Sequence, residues 1–273
     1  MKIVAAAVQL KPQGCVEANL RHAEALLLET AEAGAQLVVL PENFAHYGQT
    51  DFLAAGRSES DPEGPVRQFL AQQAKLHGFW LVGGTIPVAE SKPRSFARSY
   101  VVNPQGETVA HYDKIHLFDV DVTANSGGNK SAYRESDDFS AGHKVITVPT
   151  DLAVLGLTVC YDLRFAELYQ KLTQAGAQII TVPSAFTAVT GKAHWQVLLR
   201  ARAIENQLFV IGANMVDREH KKRGLWGGSA IVDPWGNVLA SLDDKPGVAV
   251  AEIDLALIEE HRAKMPVAQH RTL

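Results

Sequence analysis

Three segments of this chain end in a side chain that could serve acyl transfer. Thr158-Val159-Cys160-Tyr161-Asp162-Leu163-Arg164-Phe165 places a thiol directly after the apolar run Leu152 to Leu157. Val38-Val39-Leu40-Pro41-Glu42-Asn43 places a carboxylate after a second apolar run, and His111-Tyr112-Asp113-Lys114-Ile115-His116 places an amine after the strand Glu107 to Ala110. A strand that stops at a nucleophile and turns into a helix exposes the reacting atom at a sheet edge. Acyl transfer from a thiol also needs a base for its proton and a cation or N–H donor for the oxyanion. Cys160, Glu42 and Lys114 satisfy that list without histidine. A free thiol titrates near ~8.5, so Lys114 and the start of the helix after Cys160 are expected to favour the thiolate. Taken singly, each residue has an ordinary reading: a buried structural cysteine, a solvated strand-end charge, a surface lysine. The form shared by the three segments is what draws them into one site.

Cys–His pairing is the commoner thiol-hydrolase design, and His116 and His194 are the available partners. No Cys-proximal sequence of the papain kind is present, so His194 and Trp195 are expected to shape the pocket wall instead. Tyr161, Phe186 and Thr187 are further candidates for contact with substrate. Arg164 is expected to meet either a substrate carboxylate or a buried acid such as Glu167, and Asp162 could hold the turn at the nucleophile. Arg200, Arg202 and Glu205 are spaced for i,i+3 contacts along a helix and read as structural. Trp226, Trp235 and Phe186 read as core or pocket lining. The chain has no Gly-x-Gly-x-x-Gly or phosphate loop, and its histidines lack metal-ligand spacing with cysteines, so no cofactor and no metal are expected.

The elements that must position these residues follow from an internal echo. Gly34-Ala35-Gln36-Leu37-Val38-Val39-Leu40-Pro41-Glu42-Asn43-Phe44 reappears as Gly176-Ala177-Gln178-Ile179-Ile180-Thr181-Val182-Pro183-Ser184-Ala185-Phe186. Val82-Gly83-Gly84-Thr85 returns as Ile211-Gly212-Ala213-Asn214, and Val101-Val102-Asn103-Pro104-Gln105-Gly106 as Ile231-Val232-Asp233-Pro234-Trp235-Gly236. Because the order is kept, the chain reads as two similar α/β units rather than a short-period solenoid. Helices are expected over Val16 to Glu32, Pro65 to His77, Ala166 to Ala175 and His194 to Asn206. Asn103-Pro104-Gln105-Gly106 and Asp233-Pro234-Trp235-Gly236 read as hairpin turns, proline setting one φ and glycine taking the positive one. Ligands bind beyond the C-terminal ends of strands in such sheets, where Glu42, Lys114 and Cys160 are placed.

With 273 residues, 47% hydrophobic and 21% charged, and no Pro/Ser-rich linker, the whole of 1–273 is expected to form a single domain. A net charge of −4 argues against nucleic acid as the main partner. The apolar start Met1 to Leu10 is too short to span a membrane and reads as a first buried strand ended by Lys11-Pro12-Gln13-Gly14. Cys15 and Cys160 are the two cysteines; a disulfide is possible on count alone, but a reducing cytoplasmic setting is expected.

The Glu42, Lys114 and Cys160 segments together resemble the nitrilase superfamily along nearly the whole chain, from Met1-Lys2-Ile3-Val4 to Pro266-Val267-Ala268-Gln269-His270-Arg271. The resemblance implies a four-layer α-β-β-α sandwich of two mixed sheets with an internal pseudo-two-fold repeat. It also implies a Glu-Lys-Cys triad, hydrolysis of a linear carbon–nitrogen bond through a thioester, and a homodimer formed through outer-layer helices and the C-terminal segment. Tyr133-Arg134-Glu135-Ser136 resembles the segment that holds the family's second glutamate, so Glu135 joins the candidates as support for Lys114 or for the amide nitrogen. Tyr133 to Phe139, Thr190 to Glu205 and Val232 to Gly236 look closest to the deaminated-glutathione amidase branch, with the ω-amidase branch next. A nitrilase or N-carbamoyl amino acid amidohydrolase would use the same residues. A non-catalytic binding protein on this fold would be expected to have lost one of them. The Gly/Ser/Asn-rich stretch 121–132 could be a lid or a plain surface loop, and its Lys130, with Arg134, could meet the carboxylates of an anionic substrate.

Overall fold

The structure is a computed structural model that describes every residue except 50, 91–92, 123–130, 220–223 and 273. In chain order the first half comprises β1 (Lys2–Gln9), α1 (Val16–Glu32), β2 (Leu37–Val39), α2 (Phe52–Ser60), α3 (Pro65–His77), β3 (Trp80–Val82), β4 (Ile86–Val88), β5 (Phe96–Val102) and β6 (Thr108–Asp113). A hairpin of β7 (Asp119–Val122) and β8 (Ser131–Arg134) leads into a 3-10 turn, Glu135–Asp137, and then β9 (Thr147–Pro149). The second half runs through β10 (Val154–Leu157), α4 (Ala166–Gln174), β11 (Ile179–Ser184), the single turn α5 (Ala188–Thr190), α6 (Gln196–Asn206) and β12 (Phe209–Asn214). It continues with β13 (Val216–Asp217), β14 (Leu225–Trp226), β15 (Ala230–Val232), β16 (Val238–Ser241), β17 (Gly247–Asp254) and α7 (Ala256–Lys264).

The expected repeat is written in the pairing. β1, β2 and β3 are parallel neighbours, then β5 adds antiparallel to β3 and β6 antiparallel to β5. β10, β11 and β12 are parallel neighbours, then β15 adds antiparallel to β12 and β16 antiparallel to β15. Each sheet is extended by one antiparallel strand at the other edge, β17 on β1 and β9 on β10. Both hairpin turns close on a glycine with positive φ, Gly106 at 84° and Gly236 at 86°.

Strand alternation sorts the residues into layers. In β1 and β2, Ile3, Ala5, Ala7, Leu37 and Val39 face the second sheet, packing with Leu155, Leu157, Ile179 and Ile211. Ala6, Val8, Val38 and Leu40 face α1 and α3, against Ala23, Leu27, Leu70 and Ala74. Helices α4 and α6 cover the far side of the second sheet through Leu168, Leu172, Leu199 and Ala203. The result is the four-layer α-β-β-α sandwich. Burial of near-continuous Val, Ile, Leu and Ala runs is what parallel strands covered on both faces require.

Helices α1 and α3 take the spans the sequence dictates. Pro65 starts α3 where a missing N–H costs nothing, the Glu59 carboxylate accepts from the N–H groups of Val66 and Arg67, and Gly78 ends it at φ 68°. The expected start of a helix at His194 is corrected: Gly191–Trp195 forms a π turn and α6 begins at Gln196. The expected loop 121–132 is corrected at both ends, which lie in β7 and β8; residues 123–130, Lys130 among them, lie outside the described residues. Trp235 is not core but 58% exposed, stacked on His261. Both cysteines are free, Cys15 exposed and Cys160 buried, so the disulfide allowed by count is absent.

Candidate active site

Four strand ends converge on one cleft. Glu42 follows β2, Lys114 follows β6, Glu135 follows β8 and Cys160 follows β10. Lys114 Nζ donates to Glu42 Oε1 at 2.7 Å and to both Glu135 oxygens at 2.8 Å. Glu42 Oε2 accepts from the Ala185 N–H at 2.9 Å, and the Cys160 thiol lies beside the same carboxylate. Glu135 Oε2 also accepts from the Phe118 N–H at 2.6 Å. All four side chains are buried, Lys114 at 2% exposure. A buried ammonium between two carboxylates is tolerable only because every proton finds an acceptor.

Cys160 sits on a strained turn. Its φ is 46°, the left-handed region that a non-glycine residue enters only when its surroundings over-determine it. Asp162 does so here, as expected. Its side chain accepts from the Val159 N–H, and its own N–H donates to the Val159 carbonyl. The turn continues as 3-10 helix to Arg164, aiming the sulfur into the cleft rather than into the second sheet.

The electrostatics correct one expectation. Burial and the neighbouring Glu42 charge raise the Cys160 thiol well above its usual range, more than Lys114 lowers it, so the resting sulfur is a thiol. Burial pushes the Glu42 carboxyl up, but the Lys114 charge and hydrogen bonds outweigh it and hold Glu42 below the usual range. Burial works against the charge on Lys114, yet Glu135 and Glu42 keep it firmly protonated. Glu135 is raised by burial and by repulsion from Glu42, which Lys114 does not fully offset. The arrangement is a protonated nucleophile in contact with an ionised base, beside a permanent cation. It can transfer the thiol proton at the moment of attack rather than store a thiolate.

The cleft has two lobes meeting at Cys160 and Phe118. One is walled by Tyr47, Phe52, Ile86, Pro87, Tyr133 and Phe139, with Asn43 and Thr85 at its base. The other is walled by Tyr161, Phe186, Thr187 and Thr190. Thus Tyr161, Phe186 and Thr187 line the cleft. Arg164 stacks over the rings of Tyr161 and Phe186 and contacts His194 Nδ1 at 3.2 Å. Glu167 is exposed, and among the described residues Arg164 has no carboxylate partner, so the expected pairing of the two does not form. His194 is exposed and reaches the cleft only through Arg164, whereas Trp195 is buried against Phe186. Arg134 is corrected: strand alternation sends Tyr133 into the cleft and Arg134 outward to Asp121 at 3.3 Å. His116 is not a partner of the thiol either, since its Nδ1 bonds Asp162 at 2.6 Å. Sequence reasoning missed the aromatic wall of Tyr47, Phe52, Phe118, Tyr133 and Phe139. It also missed the Ala185 N–H, a main-chain donor that carries no side-chain signal.

Comparison with known proteins decides the family. The carbon-nitrogen hydrolase family model matches residues 4–263. The chain belongs to the carbon–nitrogen hydrolase family. Among the curated relatives of this carbon–nitrogen hydrolase is deaminated glutathione amidase of Synechocystis, 40% identical over 272 residues, covering 98% of this chain and 97% of the relative. Omega-amidase NIT2-A of Xenopus laevis is 39% identical over 254 residues, covering 93% and 89%. Saccharomyces cerevisiae Nit3, described as a member of branch 10 of the nitrilase superfamily, superposes with a TM-score of 0.88 at 31% identity, covering 100% of this chain and 97% of that one. Family membership and these amidase relatives identify the chain as an amidase that hydrolyses carbon–nitrogen bonds, and the superposition supports its mixed α/β sandwich.

Proposed function

We propose that the chain hydrolyses the amide bond of deaminated glutathione, releasing 2-oxoglutarate and cysteinylglycine through a thioester on Cys160. The observation that carries this reading is the contact of one thiol, one ionised carboxylate and one ammonium group at the junction of a two-lobed cleft. As Cys160 Sγ attacks the amide carbon, Glu42 takes the thiol proton, avoiding a separate thiolate in a buried site. The carbonyl oxygen becomes an oxyanion facing Lys114, which can exchange one of its two Glu135 contacts for it. On collapse the C–N bond breaks, Glu42 returns the proton to the leaving amine, and the acyl group stays on sulfur. A water that gives its proton to Glu42 then adds to the thioester carbon, the acid departs, and the proton returns to sulfur. Glu135 holds Lys114 in place throughout.

An acidic substrate is supported by Arg164, whose guanidinium lies against the lobe formed by Tyr161 and Phe186 with no carboxylate partner among the described residues. The curated relatives' names support the same class. The ω-amidase reading, cleavage of α-ketoglutaramate or α-ketosuccinamate to release ammonia, is favoured by the Xenopus relative and uses the same acyl half. A homodimer is supported by Val197, Ile204 and Trp235, large apolar side chains 66%, 41% and 58% exposed on the outer α6 layer. A cytoplasmic setting is supported by the free thiol of the exposed Cys15; among the described residues no helix is long and apolar enough to cross a membrane. The test is a panel of deaminated glutathione, α-ketoglutaramate, aliphatic amides, N-carbamoyl amino acids and nitriles, with Cys160→Ala as the blank. Turnover of the first, abolished in the variant, is expected; preference for a plain nitrile over both acidic amides would overturn the substrate assignment.

A further inference from the structure

Asp162 is a completely buried carboxylate with no lysine or arginine paired to it among the described residues, and the hydrolysis sequence gives it no role. Its two oxygens accept four hydrogen bonds. Oδ2 takes the Val159 N–H at 2.9 Å and the Tyr112 hydroxyl at 2.8 Å. Oδ1 takes the His116 N–H at 3.1 Å and His116 Nδ1 at 2.6 Å. The donors come from two places: Val159 from the turn that carries Cys160, Tyr112 and His116 from the strand end that carries Lys114. The Tyr112 hydroxyl also accepts from the Ile115 N–H at 3.3 Å, and the His116 ring lies flat on Phe165, centroids 3.6 Å apart, at the end of the same turn. Nucleophile and cation are otherwise carried by different sheets, β10 and β6, with no strand pairing between them.

We propose that Asp162, with Tyr112 and His116, is a positioning unit that fixes the Cys160 turn to the Lys114 strand end and so sets the distance at which sulfur and ammonium act on one carbonyl. None of the three touches the cleft; they act through the backbone on either side of the reacting groups. Isolated burial of a carboxylate is costly, and a structural role for the turn alone would be met by the Val159 N–H and one water-facing oxygen. The extra bonds reach across to the lysine segment. This inference rests on the assignment of Cys160 and Lys114 to the reaction.

The experiment compares Asp162→Asn, His116→Ala, His116→Asn and Tyr112→Phe with the unaltered chain, and with Thr158→Val as control. Thr158 Oγ1 contacts the Thr181 carbonyl and the Tyr169 hydroxyl beneath the same turn without reaching the lysine segment. Three quantities are measured: kcat and KM on the preferred amide, the rate of Cys160 alkylation by iodoacetamide, and Tm. In Asp162→Asn the new amide NH2 must face a backbone N–H whichever way it turns. A misplacement of about 1 Å costs on the order of 10²-fold, so kcat should fall about that much, with KM within about twofold. His116→Ala should lose about tenfold, Tyr112→Phe less, and His116→Asn, which restores a donor near Nδ1, should recover most of the loss. The alkylation rate should fall in the same order, because it reads the placement of sulfur without any substrate. Thr158→Val should lower Tm and keep kcat within about threefold. If Asp162→Asn does not fold, the His116 pair and Tyr112→Phe carry the test. Wild-type kcat and alkylation rates in those folded variants would overturn the inference, as would a kcat loss in Thr158→Val equal to theirs. Cys160→Ala with full activity would instead overturn the hydrolase assignment, which the alkylation rates do not depend on.

Discussion

The two halves share one pairing scheme but end their second strands differently, and the base is the result. In the second half β11 stays paired through Pro183 and Ser184, opposite Ala213 and Asn214 of β12. In the first half pairing of β2 with β3 stops at Val39 and Val82, so Pro41, Glu42 and Asn43 leave the sheet. The residue responsible is Gly84, which stands where the second half has Ala213. It takes φ 58°, and a Cβ there would lie 2.0 Å from the Pro41 carbonyl oxygen. Releasing the strand lets Glu42 reach Lys114 and Cys160; keeping it lets Ala185 aim its N–H at Glu42. A polar side chain then pins each exit: Thr85 Oγ1 accepts the Asn43 N–H, and Asn214 Oδ1 accepts the Phe186 N–H, both at 2.9 Å. Thr85 and Asn214 are themselves partners in the repeated Val82–Thr85 and Ile211–Asn214 segments. A duplicated scaffold has divided the chemistry unequally by departing from symmetry at one strand end.

The largest effect should come from removing the cation that joins the two buried carboxylates. Lys114→Met leaves Glu42 and Glu135 buried together, and should lower kcat/KM by at least ~10³ and stability by about 3–5 kcal/mol in denaturant titrations. Glu42→Gln keeps the shape and the Ala185 contact but removes the base; kcat should fall ~10²–10⁴ with KM little changed. Retention of full kcat would mean that the exit of Glu42 from the sheet serves something other than proton transfer.

The loop that leaves the first half also buries His46, 4% exposed, with Nδ1 unpartnered among the described residues. Burial lowers its pKa from 6.5 to about 4. The unfolded chain therefore binds a proton below pH 6.5 that the native state refuses until about 4. Its contribution is complete above 6.5 and lost as pH falls through that window, about 3 kcal/mol in all. His46→Leu should flatten the acid limb of Tm against pH; an unchanged limb would show that this loop opens to water before it titrates. The smallest expected effects are the reciprocal pair at the strand end itself. Gly84→Ala should cost about 1–3 kcal/mol and reduce kcat by displacing Glu42. Ala213→Gly should cost about 0.5–1 kcal/mol with kcat within about twofold. Equal kcat losses in the two would erase the distinction between the halves.

Much of this was legible where local chemistry and long-range packing agree. Cys160 and Glu42 announced themselves because each follows an apolar run, Lys114 because it closes a strand, and α1 and α3 because proline, glycine and periodic Leu and Ala mark their limits. Helix α2 was not legible. Gly56 in its middle disfavours a helix by about 1 kcal/mol, yet a Cβ at Gly56 would meet Ser95 and the backbone of Ala89 at 2.2 and 2.8 Å, so packing against β4 demands it. The outward turn of Arg134 depended on a strand whose register only the β7 partner sets. The neutral state of the thiol was hidden for a similar reason: sequence names the charges around it but not the depth at which they meet.

That depth has a consequence for how the molecule ages. Peroxide and other oxidants react with sulfur in proportion to its anionic fraction and its accessibility. Cys160, 6% exposed and protonated at rest, offers them little of either, while Cys15 lies in the open. The same seclusion that delays ionisation until an acyl group arrives should keep the working sulfur reduced through long idle periods, with oxidative wear expected first on the cysteine that the reaction never uses.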